Sequence, residues 1–179
     1  MDVVKRWAPK PLNHRIASQP AREDDMKRHG LLNAELNGAI AALGHGDILI
    51  VCDAGFPIPT HVRRIDLAIV EGLPTLEQVL KAVAAEYITE KVIFAEEVRA
   101  NNPPLAKLLE ATFGPHDLDT VTHAEMLTTV ASKAKVVVRT GDFNPWGNIA
   151  LVSGVDAKRW FDRADVVTPP FYQERIARG

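Results

Sequence analysis

From Met26 onward, short apolar runs of strand length alternate with amphipathic stretches of helical period, and this alternation constrains the fold more than any other feature. Ile48 to Cys52 is apolar at every position, the pattern of a strand covered on both faces. The spacing of Leu36, Ala39, Ile40 and Leu43 predicts a helix over 33–43, capped by Asn33 and ended by Gly44. Thr75 with Gln78 and Thr122 with Glu125 form two capping boxes, and the second sets His123 at the first helical position. Pro103 and Pro104 open a helix with Leu105, Leu108, Leu109 and Thr112 on its apolar face, stopped by Gly114-Pro115. Strands are expected at 65–70, 92–95, 118–121, 136–138 and 149–152, and a last short helix from Asp156 through Ala164. Strands alternating with helices predict an α/β domain: three α/β/α layers around a largely parallel central sheet.

Composition narrows the function classes. Lys and Arg number 21 against 23 Asp and Glu, so the basic excess of a phosphate-reading nucleic-acid binder is missing. Aromatic residues are 6% of the chain, too few for a single-strand stacking platform. Neither a run of about 18 apolar residues nor a phosphate-cradling glycine loop occurs, so neither a membrane partner nor a nucleotide is expected. The single cysteine, Cys52, cannot form an internal disulfide and points to a reducing, cytoplasmic setting. Residues 1–25, with three prolines and scattered basic residues, read as a disordered leader, or as residues ahead of a true start at Met26.

In layered α/β folds ligands gather at the carboxyl ends of strands, so the polar loops there are the places to search. His45 lies between two glycines just past a helix end, where partial negative charge suits a proton donor; the plain alternative is a surface histidine in a turn. Asp53 directly follows a buried strand. It either accepts hydrogen bonds from ligand hydroxyls or caps the turn backbone. His123 opens a helix. Trp146, Gly147 and Asn148 combine an apolar ring face with paired donor and acceptor groups, or else plug the loop into the core. Glu96-Glu97 reads as a solvated face, and His14, His29 and His116 show no metal-ligand spacing, so no metal is expected.

The order LGHGD, CDAGFPIP, a strand with RIDLA, AEEVRANNP, TH before a helix and an aromatic-Gly-Asn step resembles the RbsD/FucU family of sugar mutarotases, and its ribose branch more than its fucose branch. The likeness runs over 26–155, with 156–179 as a C-terminal extension. The resemblance implies a single α/β/α domain and a sugar ring-form isomerase that interconverts pyranose and furanose forms of a free monosaccharide, D-ribose first among them. His45 matches the family's proton-donating histidine, while Asp53, His123, Trp146, Gly147 and Asn148 match its sugar-binding positions. It also implies no metal, no organic cofactor and a homo-oligomeric ring, typically a decamer, with the pocket at subunit contacts. Two positions depart from the ribose pattern: Trp146 stands where tyrosine is usual, and Leu127 where a lysine is frequent. A non-catalytic sugar-binding module attached to sugar uptake is the alternative that these departures leave open.

Overall fold

The computed structural model describes residues 30–114 and 117–178. The expectations for residues 1–25, and His14, His29 and His116, lie outside them. Six strands form one sheet: β1 (Ile48–Cys52), β2 (Arg63–Asp66), β3 (Thr89–Ala95), β4 (Leu118–Val121), β5 (Val136–Arg139) and β6 (Asn148–Ser153). Their spatial order is β2-β5-β1-β6-β3-β4. β2, β5 and β1 run parallel, as do β3 and β4, while β6 lies antiparallel between β1 and β3. The sheet is therefore largely parallel, with one reversed strand at its centre.

Period-two alternation along β1 splits the core into two layers. Leu49 and Val51, with Val92, Phe94, Val138 and Leu151, face helices α1 (Ala34–Ala41), α2 (Leu76–Ala84), α3 (Glu97–Asn101) and α4 (Pro103–Phe113). Ile50, Cys52, Val137 and Ala150 face the other way, onto Met126, Val130 and Ala131. Those residues belong to one bent helical run: α5 (His123–Glu125), a π-helical turn (Met126–Val130) and α6 (Ala131–Lys133). The three layers expected from the sequence are present.

Local signals fix the helix starts. Asn33 Oδ1 accepts from the Leu36 N–H at 2.9 Å, and both capping boxes form. The structure corrects four details. The second strand stops at Asp66, because the Ala68 N–H is taken by the Asp66 side chain instead of a sheet partner. Glu97 begins helix α3, which the pattern missed because a five-residue helix shows too little periodicity. The helix after Asp156, α7 (Ala157–Phe161), ends before Ala164, and a further helix, α8 (Pro170–Arg178), follows it. Among the described residues no helix is long and apolar enough to cross a membrane.

Candidate active site

The end of β1 brings sequence-distant polar groups together. Asp53 follows Cys52, and its N–H donates to the Gly147 carbonyl at 2.8 Å. Cys52 pairs with Asn148 in the antiparallel register, so Asp53 and Asn148 become neighbours. The Asn148 side chain hydrogen-bonds the Asp53 carboxylate, which also accepts from the Gly55 N–H at 2.8 Å and from the Phe56 N–H. Burial raises the Asp53 carboxyl above its ordinary value, while these donors and the nearby His123 ring pull it back. Asn148 is only 3% exposed, and its Oδ1 has no hydrogen-bond partner. A buried acceptor of this kind is uncommon in a folded protein and calls for a donor to fill it.

His123 reaches the same edge because β4 ends at Val121 and α5 starts two residues later. The carboxylate of Glu97 accepts the His123 backbone N–H, at 3.2 and 3.3 Å to its two oxygens. Glu97 is thus no solvated surface acid: it seats the first turn that carries the histidine. Its pairing crosses from α3 to α5, which two adjacent carboxylates in the sequence do not reveal. The π-helical turn directly after α5 has the kind of irregularity that is frequent at functional sites.

The loop from Thr140 to Gly147 is braced on several sides. The Thr140 N–H and hydroxyl both donate to the Cys52 carbonyl at 2.9 Å. The Asp142 carbonyl accepts from the Ala54 N–H, and Asp142 Oδ2 caps α2 through the Leu76 N–H at 2.8 Å. Asn102, the N-cap of α4, donates from its side chain to Asn144 Oδ1 at 2.7 Å and to the Pro145 carbonyl at 2.9 Å. Arg139 Nε donates to the Ala54 carbonyl at 3.0 Å while its guanidinium pairs with Asp66. At the tip, Trp146 takes φ +57°, a left-handed conformation that costs a bulky residue about 1–3 kcal/mol. Its ring rests half-buried against the larger core layer, so it packs like a plug while standing beside Asn148.

His45 stands elsewhere. It precedes β1, and the adjoining Gly46 N–H donates to Ser153 at the far end of β6. The span from Asp47 to Asp53 covers β1, about 20 Å at roughly 3.3 Å per residue. Within one chain His45 and Asp53 therefore occupy opposite edges of the sheet. His45 is not idle there: its Nε2 lies 2.6 Å from Glu90 Oε2, with the imidazole 46% and the carboxylate 19% exposed. Nothing in the sequence pattern linked Glu90 to His45, since β3 and the loop ahead of β1 meet only through the sheet order. Of the six sequence-predicted site residues, five gather at the carboxyl edge and one lies at the amino edge.

Comparison with known proteins adds the lineage. Residues 26–156 match the sequence profile described as the RbsD / FucU transport protein family. A protein named D-ribose pyranase 2 from Rubrobacter xylanophilus is 51% identical over 154 residues, covering 86% of this chain and all of that one. D-ribose pyranase from Bacillus subtilis is 41% identical over 130 residues, covering 73% of this chain and 98% of its own. The solved structure of Bacillus subtilis RbsD complexed with D-ribose superposes with a TM-score of 0.69 at 41% identity, over 73% of this chain and 98% of that one. The fucose mutarotase from Streptococcus pneumoniae, solved with L-fucose, shares the fold at 18% identity and a TM-score of 0.55, over 68% of this chain and 92% of that one.

Proposed function

The chain belongs to the RbsD/FucU family, and from that premise we propose that it interconverts the pyranose and furanose forms of D-ribose by general acid–base catalysis. The observation that carries this reading is the Asp53–Asn148 pair. A half-buried carboxylate with acceptor capacity beyond its three protein donors stands beside a buried amide oxygen without a partner, and a free sugar supplies the hydroxyl donors to fill them. His123 adds a ring that can both donate and accept, Gly147 holds Asp53 through its carbonyl and leaves no room for a Cβ against Asn144 and Leu76, and Trp146 offers an apolar edge.

The chemistry needs no nucleophile. Opening the hemiacetal requires a proton delivered to the ring oxygen and one removed from the anomeric hydroxyl. Closing reverses this from a different hydroxyl, the C5 oxygen for the pyranose and the C4 oxygen for the furanose, which gives up its proton as the C1 carbonyl oxygen takes one. One well-placed acid or base contributes about 10²–10⁴-fold to such steps. His45 is the proton carrier in this account. Its Nε2–H donates to the Glu90 carboxylate, which fixes the ring orientation and leaves Nδ1 to face the sugar.

Because His45 and the Asp53 cluster lie on opposite sheet edges, the reaction needs His45 of one chain at the Asp53 edge of another. That requirement supports a closed homo-oligomer, and a ring such as a decamer repeats this head-to-tail contact until it closes. A cytoplasmic enzyme of this kind would act on ribose as it enters metabolism. Saturation-transfer NMR on a panel of pentoses and hexoses tests the function. Faster exchange between ring forms of D-ribose is expected. Binding without faster exchange for any sugar would replace the isomerase with a sugar-binding module.

A further inference from the structure

We propose that Arg175, on the C-terminal helix α8, is a positioning residue for ring-form exchange: it clamps the bulge that aims Glu90 at His45. The inference rests on the role given to His45 above.

The bulge is visible in the register of β3 against β6. Thr89 faces Ser153 and Lys91 faces Val152, so two steps on β3 answer one step on β6, and Glu90 is the extra residue. A bulge leaves its extra residue outside the ladder, bends the strand and re-aims a side chain, and it needs other partners for the carbonyls it frees. Arg175 supplies them. Nη1 donates to the Glu90 carbonyl at 2.9 Å and Nη2 to the Thr89 carbonyl at 3.2 Å. The planar fork of a guanidinium suits two neighbouring acceptors, which a single ammonium cannot span in the same way. The helix that carries it is joined to α7 by Phe161, whose ring lies 4.9 Å from Tyr172; within α8, Tyr172 lies 5.2 Å from Phe171 and the Arg175 guanidinium 5.8 Å from the Phe171 ring. The opposite side of the bulge is shaped by Gly154. Its N–H donates to the Ile88 carbonyl at 2.8 Å, and a Cβ there would meet Glu90 Cβ at 3.0 Å. The Glu90 carboxylate projecting from this fixed backbone meets His45 Nε2 at 2.6 Å. The tail after the sheet is thus joined to the proton carrier by a continuous path: α8, bulge, carboxylate, imidazole.

A double-mutant cycle on the full-length chain tests this, with ribose exchange followed by saturation-transfer NMR. Arg175→Ala is expected to lower the maximal exchange rate roughly tenfold, a fraction of the about 10²–10⁴-fold that a general acid supplies. KM should stay within about twofold, because the sugar-holding groups lie on the other edge, and binding and chemical losses separate in such measurements. Arg175→Lys should recover part of the rate. On a Glu90→Ala background the Arg175→Ala change should cost nothing further, since both act through one carboxylate. The imidazole ¹⁵N shifts of His45 should show a fixed Nε2–H tautomer in the native chain and a mixture in Arg175→Ala. An additive loss in the double variant, or an unchanged tautomer with an unchanged rate, overturns the clamp. His45→Ala separates the two levels of argument. If it abolishes exchange while Arg175→Ala is silent, only the clamp fails; if it leaves exchange intact, the role of His45 fails with it.

Discussion

Replacing Gly141 with alanine probes how the carboxyl-edge loop is held. A Cβ on Gly141 would lie 2.4 Å from the Val70 carbonyl oxygen and 2.5 Å from that of Leu73. Both obstacles are backbone, so no rotamer change relieves them. The loop must move, and two hydrogen bonds go with it: Gly141 N–H to the Pro74 carbonyl at 3.0 Å, and Gly72 N–H to the Gly141 carbonyl at 2.7 Å. Overpacking at about 1–3 kcal/mol plus two bonds at about 1 kcal/mol each gives a loss of about 3–5 kcal/mol. For a chain of this size that lowers the melting temperature by roughly 6–20 °C. The effect should also reach function. Asp142, the next residue, ties the loop to Ala54 and to the start of α2, so its displacement shifts Trp146, Gly147 and Asn148 relative to Asp53. Calorimetry and the ribose KM measure both consequences. A melting temperature within about 2 °C of the native chain with an unchanged KM would refute this reasoning.

Two other outcomes follow from the electrostatics. Cys52 is buried and its thiol is pushed well above the ordinary value by burial, so a thiol reagent should leave the native chain unmodified and titrate one thiol after denaturation; rapid labelling of the native chain would contradict the strand's burial. The Asp53 carboxyl is raised by burial in the folded state, so the folded chain holds its proton more tightly than the unfolded chain, and stability declines as pH rises through and above the ordinary value of 3.8. Asp53→Asn removes that decline: relative to the native chain its melting temperature should be higher at neutral pH than below pH 3.8, while exchange is lost. A difference in melting temperature that does not change with pH would count against it.

Much of the fold was readable because local rules and tertiary demands agree here. The caps at Asn33, Thr75 and Thr122 and the apolar run of β1 each specify one element, and packing uses them unchanged. β2 ends early because the Asp66 side chain captures the Ala68 N–H, a local competition that apolar pattern does not register. The reversed direction of β6 is invisible to pattern, since a strand buried on both faces reads alike in either direction. The carboxyl-edge residues were legible as loop residues after strands. Their mutual contacts, and the Glu97 and Glu90 pairings, depend on strand order, which single-sequence periodicity does not carry. The same holds for His45: its glycine-flanked turn marks it as accessible, but only the sheet shows it at the edge away from Asp53.

The proposed pocket is completed between chains, and mixing two inactive variants tests this most directly. His45→Ala and Asp53→Asn are each expected to abolish ribose exchange alone. Unfolded together and co-assembled in equal amounts, they should regain exchange at about a quarter of the native rate, because chance pairing joins one intact edge from each chain at about one site in four. A mixed assembly that stays as inactive as its parents would contradict the shared pocket and require His45 and Asp53 to act within one chain.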